Sequence, residues 1–271
     1  MSTTISGLHT RHADFQGEGV LSRNIDVWTP LDYEESGEQY PVIYMHDGQN
    51  LFHGDLSYSG IPWGVDQAAS RLASEGEIRM PIIVGIWNTV QRVQEYMPQK
   101  PLEAAPAAVS KRFAERHKGP PCSDVYLKFI VKELKSFIDS TYRTLPEQKD
   151  TFVMGSSMGG VISLYALCEY PDVFRGAACL SPSWTIAGGS FIAYLRRSIP
   201  SPDSHRVYLD AGSEAEGAVY KALMNQAATQ FLAMGYEKGE NLISKLFPGA
   251  SHSEQAWGER VEEPLQFMMS L

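Results

Sequence analysis

The chain has 271 residues, 43% of them hydrophobic and 20% charged, the make-up of an ordinary globular protein with enough length to bury a substantial core. Its net charge of −9 disfavours nucleic acid and anionic membrane surfaces as partners and names no substrate. No apolar run approaches a membrane span. The polar stretch from Met1 to Gln16 has no signal-peptide pattern, so a cytoplasmic location is expected. Cys122, Cys168 and Cys179 have no metal-ligand spacing and read as buried or free thiols.

In chain order, Asn24-Ile25-Asp26-Val27-Trp28 alternates as a half-buried strand does. Pro41–Met45 and Pro81–Ile86 are short, continuous, β-branched runs that suit buried parallel strands. Further strands are expected at Thr151–Met154, Gly176–Leu180, Arg206–Leu209 and Leu242–Phe247. Helical patterns fall between and after them, at Val65–Ala73, Asp124–Thr141, Gly160–Glu169, Ala218–Met234 and Glu254–Met269. The alternation predicts one α/β domain, a mostly parallel sheet with helices on both faces. The Pro- and Ala-rich stretch 97–122 breaks the rhythm. It reads either as a surface excursion shaping the mouth of a site or as a decorative loop.

Gly155-Ser156-Ser157-Met158-Gly159 lies between an expected strand and an expected helix. This is the setting of a nucleophile elbow, in which the middle serine sits on a sharp turn. A serine hydroxyl needs a base, and in α/β hydrolases the order is Ser, then Asp or Glu, then His. Of the histidines after Ser157, His205 precedes a strand and so lies at the wrong sheet edge, whereas His252 lies in a turn-rich loop after the last strand. His252 is therefore the expected base. The acid falls after the strand ending at Asp210, with Glu214 preferred over Glu216 and Asp210. The oxyanion donors are expected to be the Met158 amide and that of Gly48 or Gln49. His46 and Asp47 at a strand end are read as shaping that loop rather than holding a metal. Phe52, Tyr58, Trp63, Trp87, Tyr96 and Trp184 cluster near the expected mouth; core packing competes with substrate stacking at each, and Trp184 and Trp63 are the candidates retained.

Several of these segments together resemble the putative-esterase family of α/β hydrolases, which includes feruloyl, acetylxylan and enterochelin esterases. They are Tyr40 through Phe52, Arg92 through Pro98, Phe137 through Thr144, Gly155 through Gly160, Ser181-Pro182-Ser183-Trp184, and His252 with Trp257. The resemblance implies the α/β-hydrolase fold and ester hydrolysis through an acyl-enzyme, with Ser157 as nucleophile, His252 as base and no cofactor. It favours Glu214, two residues after Gly212, as the acid, although relatives with an aspartate place it where this chain has Ala215. Arg92 is a candidate substrate-binding residue, with pairing to Glu95 as the alternative. The expected partner is a small-molecule ester such as an acylated sugar, and a homo-oligomer is left open. The other functions weighed are an acyltransferase of the same fold, a thioesterase resembling S-formylglutathione hydrolase, and a non-catalytic binding module.

Overall fold

Runs of valine and isoleucine without polar alternation form stable strands only where both sheet faces are covered. In the computed structural model, which describes residues 7–185, 189–214 and 217–270, such runs make the middle of an eight-stranded sheet. β1 (Gly7–Gly17) and β2 (Val20–Pro30) open the chain. β3 (Val42–His46), β4 (Ile82–Ile86), β5 (Thr151–Ser156) and β6 (Gly176–Leu180) are buried along their whole lengths. β7 (Arg206–Gly212) and β8 (Leu242–Phe247) complete the sheet in the order β1-β2-β4-β3-β5-β6-β7-β8. β3 through β8 pair in parallel, whereas β2 runs antiparallel to both β1 and β4. This is the α/β-hydrolase fold. Core clusters lie on the two faces of the sheet, one around Tyr44, Val84 and Leu164 and one around Ile43, Ile83 and Met154.

The hairpin strand β1 falls where the sequence suggested only a polar terminus. Its side chains are exposed almost throughout, so no period-two pattern betrays it, and ladder hydrogen bonds to β2 hold it in place. The expected helix over Glu254–Met269 is broken into Glu254–Gly258 and Glu262–Met269; Arg260, in the break, turns inward. The stretch 97–122 carries the helices Gln99–Glu103 and Ala107–His117, each with a proline at its N-cap. Leu102 and Phe113 anchor these helices in the core.

The parallel register aligns the strand ends that matter. Ser156 pairs opposite Leu180, and Gly212 opposite Phe247. The segments leaving β3, β5, β6, β7 and β8 therefore emerge along one carboxyl edge, where open α/β sheets place their ligands.

Candidate active site

At the end of β5 the chain turns through Ser157, whose backbone adopts φ 56° and ψ −121° before the helix Met158–Glu169 begins. Such a conformation is strained for a residue with a side chain and persists only when its surroundings fix it. They do so here: the Ser157 N–H donates to the Leu180 carbonyl at 2.9 Å, and the Ser183 N–H donates to the Ser157 carbonyl at 3.0 Å. Gly155 explains the motif's first glycine, because a Cβ there would lie 2.7 Å from the backbone of Gly159. The elbow presents Ser157 Oγ 2.9 Å from His252 Nε2 and 2.9 Å from Ser183 Oγ.

His252 reaches the elbow because its loop lies directly on the end of β7. A Cβ on Gly212 would sit 2.2 Å from the Ala250 carbonyl oxygen, so only glycine permits that approach. The Glu214 N–H donates to the same carbonyl at 3.2 Å, and the Gly249 N–H to Ser213 Oγ at 2.8 Å. The imidazole stands edge-on to Trp257, with ring centroids 4.9 Å apart. Burial, and then the positive charges of Arg260 and Arg92, lower its pKa to about 4. At neutral pH the ring is uncharged, the state a general base requires.

The expected acid does not meet this imidazole. Glu214 touches the histidine loop through its backbone, while its exposed carboxylate makes no hydrogen bond to His252. Asp210 is fully buried and turned elsewhere. It is gripped by Arg260 Nε at 2.9 Å and Nη2 at 3.0 Å, and accepts from the Ser181 N–H at 2.9 Å and the Tyr208 hydroxyl at 3.2 Å. Glu216 lies outside the described residues. Among the described residues, no carboxylate hydrogen-bonds to His252.

A cleft of about 430 Å³ opens over the serine, walled by Asp47, Gln49, Asn50 and Arg92 together with Tyr58 and Trp257. Met158 begins its helix, so its N–H has no partner within the helix. Gln49 is in the wall of the cleft. Gly48 lies behind it, against the backbone of Gly85, where a Cβ would come within 2.5 Å. Asp47 closes this wall. It accepts from Arg92 Nε at 2.7 Å, Arg92 Nη2 at 2.8 Å and Asn88 Nδ2 at 2.5 Å. The alternative Arg92–Glu95 pair does not form, because Glu95 is buried against Arg23 at 2.5 and 3.0 Å.

Trp184 and Trp63 sit deeper than expected. Trp184 is fully buried beside Phe191, and Trp63 packs under Trp257 with ring centroids 6.0 Å apart. Phe52 and Tyr96 are also buried, and Trp87 donates to Asp26 at 2.8 Å. Of the aromatic residues expected at the mouth, Tyr58 is the one in the cleft wall. Trp257, read from sequence only as a companion of His252, joins it there. The stretch 97–122 contributes nothing to that wall.

His46 is buried beneath the elbow, with Nδ1 2.8 Å from the Tyr126 hydroxyl; burial lowers its pKa to about 3, so it is neutral. No group of three or more His, Cys, Asp or Glu that could hold a metal occurs among the described residues. Burial raises all of the thiols, Cys122 to about 11, away from the reactive thiolate form. No helix among the described residues is long and apolar enough to cross a membrane.

Residues 21–267, nearly the whole chain, match the family described as putative esterase. The chain belongs to that family. It is thus a carboxylic-ester hydrolase, and solved structures of similar fold agree with that class. A ferulic acid esterase superposes with a TM-score of 0.68 at 16% identity, covering 97% of this chain and 96% of that one. The enterobactin esterase FES from Shigella flexneri gives a TM-score of 0.71 at 17% identity, with 97% of this esterase aligned to 58% of that chain. An IroE-like serine hydrolase from Shewanella oneidensis gives 0.68 at 19% identity, covering 96% and 80% of the respective chains. In sequence, the esterase is 24% identical over 195 residues to the uncharacterized protein YbbA of Bacillus subtilis (strain 168), covering 71% of this chain and 69% of that protein.

Proposed function

We propose that this esterase works through an acyl-enzyme on Ser157, with His252 as its base. The observation that carries this reading is the 2.9 Å separation of Ser157 Oγ and His252 Nε2, from residues 95 positions apart. Ser157 passes its proton to Nε2 as Oγ attacks the ester carbonyl. The Met158 amide, with a Gln49 or Gly48 amide opposite, holds the oxygen as it becomes negative. His252 hands the proton to the departing alcohol, then takes one from the water that releases the acid. Every step uses side chains and amides of the chain itself.

The cleft supports a small substrate with polar groups. Its volume of about 430 Å³ is within the range of small-molecule sites. A lining that combines Arg92, Gln49 and Asn50 with Tyr58 and Trp257 suits hydroxyl-rich or phenolic esters, such as acylated sugars, better than long acyl chains. Feruloyl and enterobactin esterases of the same fold point the same way. The purified protein is expected to hydrolyse p-nitrophenyl acetate, and Ser157→Ala is expected to lower kcat by about 10³-fold or more. Undiminished turnover by that variant would rule the mechanism out.

A further inference from the structure

The segment leaving β6 reaches the nucleophile from its own direction. Ser183 Oγ lies 2.9 Å from Ser157 Oγ, which is also 2.9 Å from His252 Nε2. Proton counting sets the sense of the first contact. When Nε2 acts as base it accepts the Ser157 proton, and Ser157 Oγ then has only lone pairs to offer Ser183. Ser183 must be the donor.

A buried network holds it there. Ser181 has a positive φ of 42°, a conformation that costs energy for serine and needs support from its neighbours. Its N–H donates to the Asp210 carbonyl at 3.1 Å and to Asp210 Oδ1 at 2.9 Å. Its Oγ accepts from Arg260 Nη2 at 3.0 Å, and Arg260 in turn grips both oxygens of Asp210. The carboxylate at the end of β7, near where a triad acid is expected, is thus committed to the segment that carries Ser183.

We propose that Ser183 is a catalytic hydrogen-bond donor to Ser157 Oγ that accelerates release of the acyl group, and that Ser181, Asp210 and Arg260 are positioning residues for it. The inference rests on Ser157 being the nucleophile. In deacylation His252 removes a proton from water, and the water oxygen bonds to the acyl carbon. The bond from that carbon to Ser157 Oγ then breaks, and its electron pair stays on Oγ. Ser183 donates to Oγ while this charge builds, until His252 returns the proton; Ser183 keeps its own hydrogen throughout. In acylation Oγ gives up electron density to the carbonyl carbon, and the same donor offers no gain.

Stopped-flow kinetics with p-nitrophenyl acetate test this asymmetry. Ser183→Ala is expected to lower kcat about tenfold, the worth of one hydrogen bond to a developing charge. Its kcat/KM, set by acylation, should stay within about twofold of wild type, and the initial burst should approach one product per enzyme. Ser183→Thr keeps the hydroxyl and should restore kcat. Ser183→Cys, close in size but a poor donor, should repeat the alanine result even if the alanine variant folds badly. Unchanged kcat in the alanine or cysteine variant, or a parallel fall of kcat and kcat/KM, would overturn the proposal. If wild-type protein fails to label with a fluorophosphonate, the nucleophile assignment falls and takes this inference with it. A labelled wild type with insensitive Ser183 variants removes only the inference.

Discussion

Carboxylate–arginine pairs flank Ser157 on either side of β5, and they differ in what water can reach. Asp47 and Arg92 follow β3 and β4, and 29% of the arginine side chain is exposed in the cleft wall. Asp210 and Arg260 lie beyond β6, with 0% and 4% of their side chains exposed. The chemistry is the same, but the burial assigns different work. A sealed pair has no face for a ligand and can act only by fixing the backbone around it. An open pair keeps a guanidinium edge available to substrate. For Asp47, burial alone would raise the carboxyl pKa, yet the charge and paired hydrogen bonds of Arg92, with Asn88, hold it below its ordinary value.

The sealed pair should be the more sensitive to breakage. Asp210→Ala leaves the Arg260 charge buried without a partner, and is expected to cost about 3–5 kcal/mol of stability in urea unfolding. Adding Arg260→Met should recover most of that loss, because an apolar replacement of both partners removes the stranded charge. A double variant as unstable as the single one would contradict this account.

Breaking the open pair should cost less and show in catalysis. Arg92→Met leaves Asp47 with Asn88 and water, a loss of about 1–2 kcal/mol, together with a raised KM for polar esters. The sign with pH follows from the depressed Asp47 pKa. Its contribution is present above the ordinary aspartate value of 3.8 and is lost as pH falls through the lower folded value. The stability gap between wild type and Arg92→Met should therefore close in acid.

The smallest effect concerns the missing acid. With no described carboxylate on the imidazole, Glu214→Gln should change kcat by less than about threefold, far short of the loss on removing a triad acid. The pH dependence of kcat/KM checks the same point. A base is active only when unprotonated, so activity should hold down from neutrality and fall as pH drops through about 4. An inflection near the ordinary histidine value of 6.5 would mean that a carboxylate does reach Nδ1. Short pH-jump assays are needed, because a histidine buried in its neutral form also makes the fold less stable as pH falls below 6.5 towards 4.

Much of this was legible in the residues, for local reasons. β-Branched runs gave away β3 and β4, the alternation of short apolar runs with helical patterns placed β5 through β8, and Gly155 to Gly159 marked the turn between a strand and a helix. Chain order then singled out His252. What sequence could not supply were pairings set by the register of distant strands. Glu95 is one helical turn from Arg92 in sequence, yet it faces Arg23 on β2, while Arg92 turns to Asp47. Trp184, a candidate for the mouth, follows β6 on the carboxyl edge but is fully buried in the core, and its neighbour Ser183 meets Ser157 instead. Both lie in the turn beyond β6, where no strand or helix period fixes which side chain faces the cleft, so composition does not reveal which of the two reaches it.

The account turns on a covalent acyl group at Ser157, and intact-protein and peptide mass spectrometry of enzyme quenched during turnover of an activated ester reads it directly. The expected result is an acyl adduct on the peptide containing Ser157, absent from Ser157→Ala and formed far more slowly in His252→Ala. Turnover with no adduct in any kinetic window, or an adduct on a different side chain, would contradict it.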